Sequence, residues 1–60
     1  MTEKEEKIIR NFINGDKSLY KSFSKIKPSE DTDIYSLFLK AYIADDSENY
    51  MKYKQIIRDN

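Results

Sequence analysis

The sequence predicts an all-α fold of four short helices, paired as two antiparallel αα-hairpins with the third helix central. Three observations carry this expectation. Apolar residues recur at helical spacing in four separate stretches. A capping residue (Ser, Thr or Asp) precedes each stretch, and Asn14-Gly15 and Pro28 supply stop signals between them. The run from Ile34 to Ala44 is broken only by Ser36 and Lys40, so it is apolar on more than one face.

Thr2 opens the first helix. Glu5 stands three positions later and completes a capping box, in which each residue satisfies the other's free backbone donor. Ile8, Ile9, Phe12 and Ile13 follow as one apolar stripe. Asn14-Gly15 ends the helix, because Gly accepts the left-handed backbone of a C-terminal cap.

Asp16 caps the second helix, whose apolar face is Leu19, Tyr20, Phe23 and Ile26. Lys17, Lys21 and Lys25 line its opposite side at four-residue spacing. Pro28 is expected to end it, since a residue before Pro is pushed out of helical geometry.

The third helix starts within Ser29–Asp33, with Ser29, Asp31 and Thr32 as alternative caps, and runs to about Ala44. Ile34, Leu37, Phe38 and Ala41 share one face; Tyr35, Leu39, Tyr42 and Ile43 fill the neighbouring one. Asp45 or Asp46 caps the fourth helix, and Asp45 to Glu48 has capping-box spacing. Its inner face is read as Tyr50, Tyr53, Ile56 and Ile57, with Met51 off that stripe.

The chain partly matches itself at an offset of about thirty residues: Thr2 with Thr32, Ile13 with Ile43, Asp16 with Asp46, Tyr20 with Tyr50 and Ile26 with Ile56. A tandem repeat and two unrelated hairpins of equal length both explain the echo. The mismatches separate the halves. Lys4, Glu5, Lys7 and Asn11 fall on Ile34, Tyr35, Leu37 and Ala41, so the third helix has a second apolar face that the first lacks.

Sixty residues make one small domain, 1–60. With no Cys there is no disulfide, and with no His either a structural zinc site is excluded; neither metal nor cofactor is expected. Eleven basic and eleven acidic side chains cancel, so no global field draws the chain to a polyanion. The charged N-terminus lacks the apolar stretch of a signal peptide, and the apolar run is about half the twenty or so residues of a membrane span. A cytoplasmic protein with no membrane partner is expected.

The usual bases and nucleophiles, His and Cys, are absent, and every carboxylate falls in a turn or on a polar face, where nothing raises its pKa. The chain is therefore not expected to be an enzyme. The clusters Glu30-Asp31-Asp33 and Asp45-Asp46-Glu48 lack calcium-loop spacing and read as helix caps.

Five Tyr and three Phe exceed what short helices readily bury. Tyr35 and Met51 fit the inner faces least well, and Leu39, Tyr42 and Ile43 lie on the broad face of the third helix. These five are the candidate protein-binding residues. The expected function is a small non-catalytic interaction module, a regulator or inhibitor that binds a larger protein or itself. The alternative is a nucleic-acid accessory protein working through Lys17, Lys21 and Lys25, a stripe with no base-reading or stacking side chain beside it.

Overall fold

The computed structural model describes residues 1–30 and 32–60. Among them the chain is all-helical: α1 (Glu3–Ile13), α2 (Tyr20–Ser24), α3 (Ile34–Ile43) and α4 (Ser47–Asp59), with a single 3-10 turn (Lys17–Leu19) leading into α2. α1 pairs with the 3-10 turn and α2, and α3 pairs with α4 over most of its length. α4 also lies against α1, so the two hairpins close into one bundle. Among the described residues no helix is long and apolar enough to cross a membrane.

α1 begins as its capping box dictates. The Glu5 amide donates to Thr2 Oγ1 at 3.2 Å, and the Thr2 amide donates to Glu5 Oε1 at 3.0 Å. These hydrogen bonds hold the Glu5 carboxyl below its ordinary range, with the Thr2 backbone donor contributing most. α1 ends at Asn14-Gly15, where Gly15 has φ +96° and the Asp16 amide reaches back to the Asn11 carbonyl at 2.9 Å.

The second helix is shorter than its pattern suggests. Asp16 caps it, accepting from the Ser18 amide at 3.1 Å and from the Ser18 hydroxyl, and these bonds hold the Asp16 carboxyl low. The first residues form only the 3-10 turn, however, and α2 stops at Ser24, well before Pro28. Ser24 Oγ donates to the Lys21 carbonyl at 2.8 Å, a local bond that competes with helix propagation. Lysines at four-residue spacing would also repel along a continuous helix. Tyr20 is exposed rather than inward, while Phe23 and Ile26 are buried as expected.

The cap of α3 is Asp33, which accepts from the Ser36 amide at 3.0 Å; it is neither Ser29 nor Thr32, and Asp31 lies outside the described residues. Asp33 directly precedes the first apolar residue, which is where a cap belongs. α3 is the most buried helix, with Tyr35, Ser36, Phe38, Leu39 and Ala41 all inside. Ser36 does not break the apolar run outward. It is fully buried, and its Oγ lies 2.7 Å from Ser29 Oγ, which ties the connecting loop to the helix.

Asp46, not Asp45, caps α4, accepting from the Asn49 amide at 3.3 Å, so no capping box with Glu48 forms. The inner face of α4 is Tyr50, Tyr53 and Ile57, spaced i, i+3, i+7, and Ile56 is exposed. Two arginines join the outer helices. Arg10 donates to the Ile57 carbonyl at 3.1 Å and the Asn60 carbonyl at 2.9 Å, and Arg58 donates to the Ile13 carbonyl at 3.2 Å. Each cation thus meets the negative C-terminal end of the opposite helix, a favourable placement.

The turn after α3 repeats the turn after α1 bond for bond. Asn14, Gly15 and Asp16 donate to Arg10, Phe12 and Asn11; Ala44, Asp45 and Asp46 donate to Lys40, Tyr42 and Ala41. The echo ends there, because α2 has 5 residues and α4 has 13.

Candidate functional site

Six aromatic rings from all four helices form one connected cluster. Phe12 stacks on Phe23 with centroids 3.9 Å apart, and Phe23 meets Phe38 and Tyr42 edge-on at 6.4 and 5.3 Å. Tyr50 joins through Phe38 at 5.0 Å and Tyr42 at 6.1 Å, and Tyr20 through Phe12 at 6.2 Å. Edge-on and offset rings pair the negative face of one with the positive rim of another. Phe23 and Phe38 form the buried floor; Tyr20 and Tyr42 form an exposed edge.

The helical periods explain this division. Phe38 and Tyr42 are four apart on α3, so they share a face, but Tyr42 sits at the last turn, where Tyr50 of α4 covers it only in part. Tyr20 stands at the first position of α2, just after the 3-10 turn. The Tyr42 phenol is held above its ordinary value of 10.0, first by the neighbouring Tyr20 hydroxyl, then by burial, and then by the charges that Tyr20 and Tyr50 would carry if ionised. The Tyr42 phenol is therefore neutral at physiological pH.

Beside this edge lies a hollow of about 200 Å³ at the α3–α4 turn. Ala41, Tyr42, Tyr50, Asp45, Asp46 and Ser47 line it. Its lining is mainly apolar and includes two acidic residues, of which Asp46 accepts from Asn49 through both oxygens.

The five candidate contact residues separate into two groups. Tyr35 and Leu39 are only 9% and 2% exposed and belong to the core, so they form no part of a free surface. Arg10 explains Tyr35: its guanidinium donates to the Tyr35 hydroxyl at 2.7 Å and lies 5.8 Å from the ring centroid, so the phenol can sit inside with its polar end satisfied. Tyr42 is exposed, and Ile43 and Met51 are 66% and 59% exposed. Tyr42 is part of the aromatic edge and Ile43 adjoins it in sequence; Met51 lies on α4, outside the core and the side chains packed on it.

Lys17, Lys21 and Lys25 are all exposed but do not share one helix: Lys17 is in the 3-10 turn, Lys21 in α2, and Lys25 just past the end of α2. Tyr20 is exposed although its spacing to Phe23 suits one helical face; it stands where the 3-10 turn gives way to α2. No group of three potential metal ligands occurs among the described residues.

No family model, curated protein or solved structure matches the chain.

Proposed function

We propose that this chain is a small non-catalytic protein-binding module of the cytoplasm, a regulator or inhibitor that docks on a larger protein. The observation that carries the reading is the hollow between Tyr42 and Tyr50, open beside the exposed aromatic edge of Tyr20 and Tyr42. It has room for one apolar side chain of a partner, and Asp45 in its lining suits a basic neighbour of that side chain. Tyrosine offers large contact area with little rotamer freedom to lose, and central aromatic contacts of this kind dominate interface energetics. Ile43 and Met51 are further exposed apolar side chains on the same two helices, and fully burying either contributes about 1.5–3 kcal/mol.

The test compares wild-type chain with Ile43→Asp and Met51→Asp in affinity capture from the native host, alongside sedimentation velocity. Both positions are exposed, so the variants keep the fold, which circular dichroism verifies. The reading expects a protein retained by wild type and lost from at least the Ile43 variant. If the wild type sediments as a monomer and retains the same proteins as both variants, the reading is wrong. A dimer abolished by the substitutions would make the partner a second copy of the chain.

A further inference from the structure

The geometry points to a second site, which shares only Tyr50 with the docking surface: a cationic cleft that binds a phosphate monoester, free or as a lipid headgroup. The cleft, of about 340 Å³, lies between the end of α1, the 3-10 turn and α4. Lys17, Lys54 and Arg58 line it, together with Phe12, Tyr50 and the glycine of the first turn, and no carboxylate does. None of these three cations is paired with a side-chain carboxylate among the described residues.

The acids nearest in sequence are engaged elsewhere. Asp16 accepts from Ser18, and Asp59 accepts from Gln55 Nε2 through both oxygens, at 3.0 and 3.1 Å. Arg58 is oriented by its bond to the Ile13 carbonyl, which uses one of the five guanidinium donors and leaves the others for an anion. Lys54 Nζ lies 5.7 Å from the Tyr50 ring centroid, a contact that holds the ammonium at the edge of the cleft.

Three cations lining one cleft favour a dianion over a monocarboxylate, and an arginine fork matches phosphate oxygens in pairs. Phe12 and Tyr50 give the cleft apolar wall against which the body of an ester can lie. A long polyanion suits the surface less well, because the helix starts carry Glu3, Glu5 and Glu6 in α1 and Glu48 in α4, and the net charge is zero.

The experiment is a titration of the ¹⁵N-labelled chain with inorganic phosphate and with phenyl phosphate, at ionic strength matched by sodium chloride, followed by amide shifts. A parallel arm measures co-sedimentation with phosphatidylcholine vesicles with and without phosphatidic acid. Saturable shifts confined to Gly15, Lys17, Tyr50, Lys54 and Arg58 are expected. Lys17→Gln and Lys54→Gln should each weaken binding about fivefold, Lys54→Arg should retain it, and Lys21→Gln with Lys25→Gln should leave it unchanged. Binding by phosphatidic-acid vesicles that is sensitive to the same substitutions identifies a headgroup as the source. Linear shifts that chloride reproduces, or equal loss from the Lys21/Lys25 variant, overturn the site.

Discussion

Gly15 and Asp45 occupy the same place in two turns thirty residues apart, and both have positive φ, +96° and +55°. One is the residue that such a cap favours and the other is not. The adjacent carboxylates play the same part, since Asp16 and Asp46 each cap the helical segment that follows.

The comparison yields opposite expectations for two substitutions. Asp45→Gly should stabilise the chain by about 0.5 kcal/mol by relieving the left-handed backbone. Gly15→Ala should destabilise it by about 1 kcal/mol, from backbone strain alone, because a Cβ there would meet nothing within 4 Å. Thermal midpoints moving up for the first and down for the second would bear this out; the same sign for both would refute it.

Arg10 bonds three oxygens, on Tyr35, Ile57 and Asn60. A lysine there keeps the charge but cannot fan out to all three. Arg10→Lys should therefore cost about 2 kcal/mol in urea unfolding. An unchanged midpoint would mean that charge near the helix end, not the fork, is what matters.

The Ser29–Ser36 pair is asymmetric, because Ser36 is fully buried and Ser29 is only partly so. Ser29→Ala strands the inner hydroxyl and should cost about 1–2 kcal/mol, more than Ser36→Ala, which leaves the stranded group near water. Chemical denaturation of both variants decides the order, and the reverse order would contradict the pairing.

Glu5 and Asp16 have folded-state pKa values below their ordinary 4.5 and 3.8. A lowered carboxylate contributes stability that is present above its unfolded value and lost as pH falls through the folded one. The thermal midpoint should accordingly drop on acidification below about pH 4.5. Thr2→Ala with Asp16→Asn should lower the midpoint at neutral pH and flatten that acid slope. A slope identical to wild type would remove both caps as its source.

Much of this fold is legible in the chain. Thr2 and Glu5, Asp16, and the apolar residues Ile9, Ile13, Phe23, Phe38 and Ile57 announce their roles through spacing alone. What spacing misses is of two kinds. Tyr35 fits the inner faces least well by spacing, and what lets it sit inside is Arg10, 25 positions away, which spacing does not reveal. The second helix carries a helical pattern over more residues than form a helix, because periodicity does not register the hydroxyl of Ser24 turning back on its own backbone. The candidate surface suffers most from this. Tyr42, Ile43 and Met51 stay outside as their pattern allows, but Leu39 lies under neighbours that no local rule identifies.

Arg10 and Arg58 make the C-terminal ends of α1 and α4 depend on each other. The first helix closes against an arginine near the end of the last, and the last against one borne by the first. Neither end can fray alone, because loosening one strips the other of its donors. Protons on the amides of both closing turns should then exchange with solvent together, as one opening event rather than two.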